Sequence, residues 1–173
     1  MKRLLIGTAA AVVLTGSSAP AFAQNVYTAA AKAQWDMIKG NITKTAAKVG
    51  EENYSFKPTP AVRSLGEILG HVADSNFGIC ATAAGEKPPA TGFEKKTAKA
   101  DIVKGLNDSI AYCDKVIASL DDTKGAEMVK FIGPTPKLMV INFNTGHCNE
   151  HYGNLVTYMR LKGIVPPSSE PTK

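Results

Sequence analysis

Histidine is scarce in this chain, with three copies in 173 residues, and so is cysteine, also with three. No Cys-x-x-Cys-His occurs, which excludes covalent attachment of a c-type haem. Aromatics make up 7% of the chain and include a single tryptophan. No basic stripe interleaved with aromatics is present, so nucleic acid is not an expected partner. Past the first 23 residues, no run is long and apolar enough to cross a bilayer, so no membrane role is expected. Strand-like alternation is almost absent, and there is no internal repeat or low-complexity tract.

The N-terminus has the form of an export signal. Lys2 and Arg3 precede an apolar run from Leu4 to Leu14, and Ala21-Phe22-Ala23 follows as a small-x-small cleavage motif. Cleavage before Gln24 is expected, giving a soluble periplasmic or secreted protein. No cysteine follows the apolar run to anchor a lipid. Losing Lys2 and Arg3 lowers the formal charge from +5 to +3, a mild excess spread along the chain. About 150 residues remain, enough for one domain with a real core.

Four amphipathic segments account for most of that domain. The first runs from about Val26 to Val49, with Trp35, Ile38, Ile42, Ala46 and Val49 at three- and four-residue steps. Pro58 and Pro60 then interrupt helix. The second opens at Ser64, where Ser64 and Glu67 fit a capping box, and ends near Gly85. The third spans roughly Ala98 to Leu120. The fourth starts after Thr135, with Pro136 expected at its first helical position, and continues to Lys162, where Gly163 stops it. The domain is expected to cover 24–165, with a proline-rich tail over 166–173. The spacing predicts an all-α four-helix bundle.

The connections carry the topology. The linker from Gly85 to Thr97 spans up to ~40 Å when extended, against ~30 Å for a 20-residue helix. It can therefore run the length of the bundle and leave the second and third helices parallel. Cys80 and Cys113 both lie late in those two helices. Parallel packing puts them at similar height, whereas antiparallel packing separates them by ~15 Å or more, beyond disulfide reach. The cysteines are either a disulfide or two buried thiols packed as small hydrophobes.

The scarce histidines supply the functional clue. His147 and His151 stand four apart, on one face of the fourth helix, and His71 sits in the second among Leu69, Val72 and Ala73. Three neutral imidazoles with open positions make a catalytic-type metal site, suited to zinc, nickel, copper or iron alike and able to lower the pKa of a bound water or thiol. Asn144, His147, His151 and Asn154 share a polar line on an otherwise apolar helix. A polar line facing a core is costly unless it is paired or ligates something. Asn144, Glu150 and Asn154 are candidate supports for the imidazoles, with Glu150 alternatively facing solvent. His147-Cys148-Asn149-Glu150-His151 also fits the short His-x-x-Glu-His pattern of inverzincin proteases. A later carboxylate ligand is missing for that reading, since only Glu170 follows, in the tail. Cys148 points ~100° away from His147 and is expected to be a buried thiol. Gly66, Gly70, Gly146 and Gly153 lie beside the histidines and allow close approach, either of a ligand or of a neighbouring helix.

These segments together resemble the DinB-like (DinB/YfiT) superfamily of metal-binding four-helix bundles, in an exported branch. The likeness runs through Trp35, Tyr54-Ser55-Phe56-Lys57-Pro58-Thr59, Arg63-Ser64-Leu65-Gly66-Glu67 and His71 with Asp74-Ser75-Asn76. It is strongest from His147 to Pro167. The resemblance implies an up-down-down-up bundle with His71, His147 and His151 as ligands of a divalent ion, zinc or nickel. It implies a metal-dependent hydrolase or a thiol-using transferase or isomerase acting on a small molecule, in a possible homodimer. A non-catalytic metal- or ligand-binding envelope protein uses the same three ligands, and a purely structural bundle uses none.

Overall fold

The protein is described by a computed structural model over residues 25–171. The proposed leader with its cleavage site before Gln24, and the last two residues of the tail, lie outside the described residues. Five helices form: α1 (Val26–Lys48), α2 (Leu65–Ala84), α3 (Lys99–Ala118), the short α4 (Asp122–Gly125) and α5 (Lys137–Leu161). The four long ones are the expected bundle. Ser64 caps α2 with the full reciprocal box, Ser64 Oγ accepting from the Glu67 amide at 3.1 Å and Glu67 Oε2 from the Ser64 amide at 2.6 Å. Gly85 ends α2 at φ 75°, where a Cβ would be strained. Gly163 plays that part after α5 at φ 70°.

Pairings along the helices fix their directions. From α2 to α3, Asn76 meets Ser109 and Cys80 meets Cys113, so the partners ascend together and the helices are parallel. From α2 to α5, Asn76 meets Asn144 and His71 meets His147, while Arg63, just before α2, meets Tyr158. That order descends, so these two are antiparallel. From α1 to the α3 side, Thr28 meets Asp122 and Trp35 meets Asp114, again antiparallel. The result is up-down-down-up. Cys80 and Cys113 form a buried disulfide, their Cα atoms 5.4 Å apart. The core between the helices is built from Trp35, Ile38, Ile42, Leu65, Leu69, Ile102, Leu106, Ile141 and Leu155.

Two expectations are corrected. A small antiparallel hairpin, β1 (Met128–Lys130) with β2 (Pro134–Pro136), lies between α4 and α5, with Val129 opposite Thr135. Two of its six residues are prolines, which hide a strand in any propensity reading and suit only an unpaired edge. Pro136 consequently ends β2 with extended ψ and stands as N-cap, and the helix begins at Lys137. The hairpin sets Phe131 edge-on against Phe143 of α5, with ring centroids 5.0 Å apart.

Candidate metal centre

Antiparallel α2 and α5 bring the three histidines of the chain together. His147 Nε2 lies 3.1 Å from His71 Nε2 and 3.0 Å from His151 Nε2. The three ligand atoms all fall within 4.8 Å of one another. Two nitrogens bound at ~2.0–2.1 Å to a tetrahedral zinc stand ~3.3 Å apart, so the two pairs that include His147 are close to ligand spacing. His151 is buried and His71 and His147 are partly so. Burial lowers the His147 pKa, as does the nearby charge of His71, partly countered by Glu150. Burial, His147 and His71 push His151 down to about 4. Both imidazoles are therefore neutral at pH 7, the state that offers a lone pair to a metal.

The support for His71 comes from the crossover between α2 and α3. A 3₁₀ turn over Phe93–Lys95 places Glu94 Oε2 3.0 Å from His71 Nδ1. The Arg63 Nε–H donates to Glu94 Oε1 at 2.8 Å. Burial works against ionising Glu94, but the hydrogen bonds from Arg63 and His71 outweigh it and hold its pKa below the usual value. A carboxylate accepting from Nδ1–H leaves the His71 lone pair on Nε2, which faces the other two rings.

Two features hold that turn. Asp74, one turn along α2 from His71, accepts the backbone amides of Phe93 and Glu94, both at 3.0 Å. The Phe93 residue sits in a notch made by two glycines. A Cβ on Gly70 would collide with the Phe93 carbonyl, lying 2.6 Å from its carbon, and one on Gly105 would enter the Phe93 ring, 2.7 Å from Cγ. Gly66 likewise admits the Tyr54 carbonyl, 3.0 Å from an added Cβ, whereas Gly146 and Gly153 face open space. Close approach is thus real in α2, where it is backbone packing, and absent in α5.

None of the three expected supports hydrogen-bonds an imidazole. Asn144 turns toward the disulfide, its Nδ2 donating to Asn76 Oδ1 at 2.9 Å and standing 3.7–3.8 Å from Cys113 and Cys80 Sγ. Glu150 and Asn154 are exposed. Nδ1 of His147 and Nδ1 of His151 are buried with no partner among the described residues. Glu94 is the supporting carboxylate that the helical pattern did not disclose. The available signal was composition: Glu86 and Glu94 are the only acids in the crossover, and the crossover must pass along α2. Cys148 is buried, its thiol pushed up to about 12 by that burial, and it lies within 3.4 Å of Asn76 Oδ1. It is a packed thiol, and the protease pattern lacks its base because Glu150 faces solvent.

The triad opens through His151 onto a cleft of about 610 Å³, whose lining includes Lys57, Arg63, Glu67, Glu94 and Tyr158. Lys57 pairs with Glu67 at 2.8 Å, and the Tyr158 hydroxyl donates to the Arg63 carbonyl at 2.9 Å.

Fold and cluster together define a class, an up-down-down-up helical bundle with three converging imidazoles on two facing helices. Residues 34–155 match the family model of the DinB superfamily, and the chain belongs to that superfamily. It is similar in fold to the crystal structure of a DinB-like protein from Bacillus cereus, with a TM-score of 0.70 at 20% identity, covering 83% of this chain and 97% of that one. A conserved protein from Enterococcus faecalis superposes with a TM-score of 0.64 at 13% identity, covering 79% and 96%. No curated protein matches the chain significantly.

Proposed function

We propose that this is an exported divalent-metal protein in which His71, His147 and His151 hold zinc or nickel beside a small-molecule cleft. The observation that carries the reading is the meeting of three Nε2 atoms at the mouth of that cleft. A divalent ion bound there would supply Lewis acidity, polarising a substrate and lowering the pKa of a water or thiol. The protein's own residues do the rest. Burial keeps His147 and His151 neutral, Glu94 fixes the His71 tautomer, and Arg63 holds Glu94 in place. Hydrolysis or group transfer on a small substrate is the chemistry this arrangement suits.

Export rests on the leader-like N-terminus and is supported by the buried disulfide, a bond at home in an oxidising compartment. N-terminal sequencing of the secreted protein should begin at Gln24.

Metal analysis of mature protein purified without a histidine tag tests the centre, beside a His147→Ala/His151→Ala control. The expected result is about one divalent ion per chain, lost in the control. No metal after incubation with zinc or nickel would leave a structural bundle. A second reading, a non-catalytic metal- or ligand-binding envelope protein, is favoured by one observation. No poised nucleophile or base lines the cleft among the described residues: the thiol of Cys148 is buried and Glu94 is committed to Arg63 and His71. Retained turnover lost on chelation, across a hydrolase and thiol-transfer panel, would decide against it.

A further inference from the structure

The Arg63 guanidinium has work left over. It lies at the cleft wall and uses Nε alone to hold Glu94. Among the described residues its two terminal nitrogens make no hydrogen bond to the protein. Arginine presents its donors as a rigid fork matched to a carboxylate. Its backbone is pinned as well, because Tyr158 donates to its carbonyl. Its position is therefore set at both ends before any ligand arrives.

Charge balance points the same way. The cleft walls carry two ion pairs, Lys57 with Glu67 and Arg63 with Glu94, which cancel. Three imidazole ligands bring no negative charge, so a divalent ion held there keeps its full charge, and an anionic ligand is the natural complement. Phosphate fits less well than carboxylate. The nearby N-terminus of α2 has no amide to spare: Ser64 and Glu67 bind each other's side chains, Leu65 donates to the Phe56 carbonyl and Gly66 to the Tyr54 carbonyl. One arginine fork remains, and that suits one carboxylate.

We propose that the cleft recognises small ligands bearing a carboxylate, gripped by the terminal nitrogens of Arg63 while the rest of the ligand faces the three imidazoles. Arg63 is then a specificity-determining residue as well as the brace of Glu94. This rests on the metal-centre reading above, and the test separates the two.

Cobalt(II) is loaded in place of the native ion, and its visible absorption reports both occupancy and ligand binding. Succinamate is titrated against succinamide, which shares its amide end and replaces its one carboxylate with a second amide, in the wild type and in Arg63→Gln, each at full cobalt loading. The expected preference for succinamate is about tenfold or more in the wild type, the range of a charge-assisted hydrogen bond. It should collapse in Arg63→Gln through loss of succinamate affinity. Arg63→Lys keeps the charge without the fork and should recover only part of the preference. Cobalt bound with no succinamate preference, or a preference that survives Arg63→Gln, overturns the carboxylate assignment and leaves the metal centre standing. So does inorganic phosphate binding more tightly than succinamate. Failure of cobalt to bind overturns both.

Discussion

Gly70→Ala and Gly78→Ala are the same change on the same helix, and the structure predicts opposite signs for them. In a helix interior, alanine is favoured over glycine by ~1 kcal/mol, from backbone entropy alone. At Gly78 nothing lies within 4 Å of the added methyl, so that gain is kept. At Gly70 the methyl meets the Phe93 carbonyl and the Glu94 Cα, the latter at 2.7 Å, against an ordinary contact of 3.4 Å or more. Both obstacles are backbone, and the turn must retreat by the better part of an ångström. Overpacking of this kind costs ~1–3 kcal/mol, and more where backbone must shift. Gly70→Ala is therefore expected to lose ~1–2 kcal/mol net, and Gly78→Ala to gain up to ~1. Urea denaturation measures both, followed by the fluorescence of Trp35, which is buried and donates to Asp114. The retreat also draws Glu94 away from His71, so Gly70→Ala should weaken zinc binding by ~10-fold or more. Gly78→Ala should leave it unchanged. A Gly70→Ala protein as stable as Gly78→Ala, with native zinc affinity, would refute the claim that the crossover is seated in that notch.

Glu94→Gln keeps the shape of the turn and removes its charge. It should cost ~10–100-fold in zinc affinity with unchanged helix content, and native affinity would show that His71 needs no carboxylate. Cys80→Ala/Cys113→Ala opens a loop with a sequence separation of 33. It should cost ~3–4 kcal/mol in chemical denaturation on the chain-entropy account. Alkylation of the oxidised protein should label only Cys148, and only after unfolding, because that thiol is buried. In the metal-free protein His151 titrates near 4 when folded, against 6.5 for the free side chain. The unfolded chain then binds more protons between those values. Stability should be fully present above pH 6.5 and fall as the pH drops toward 4. His151→Gln should flatten that profile, and an equally steep one would assign the acid sensitivity elsewhere.

Most of the bundle is legible in the sequence because its helices end on chemistry. Ser64 with Glu67, Gly85 and Gly163 are local signals that depend on no distant partner. The parallel α2–α3 arrangement was legible for a different reason: the crossover is long enough to span the bundle, and a bond between Cys80 and Cys113, then still open against two buried thiols, would permit only that direction. The three histidines were visible by their scarcity and spacing. Their support was not, because periodicity is silent in an irregular crossover, and Glu94 is placed by two amides meeting Asp74 some 20 residues earlier. The polar line on α5 misled in another way. Its members share a helical face, but α2 offers different partners along its length: Asn76 and the disulfide for Asn144, His71 for His147, open cleft for Asn154. A shared face fixes direction and leaves the partner to the opposing helix.

The seating of Phe93 has an evolutionary consequence. One volume is shared by Gly70, Phe93 and Gly105, which belong to three separate elements of the chain. No one of them can drift alone. A methyl at either glycine is tolerated only after the turn has shifted or the ring has shrunk, and either event moves the carboxylate that steadies His71. Substitutions at these positions should therefore arrive in compensated sets, and a lineage that fills the notch should also lose or relocate its acidic partner to the histidine. Across distant bundles of this superfamily, the size of the residues at this crossing is expected to covary with the presence of a carboxylate in the crossover, linking steric history to the chemistry of the histidine cluster through positions that supply none of its ligand atoms.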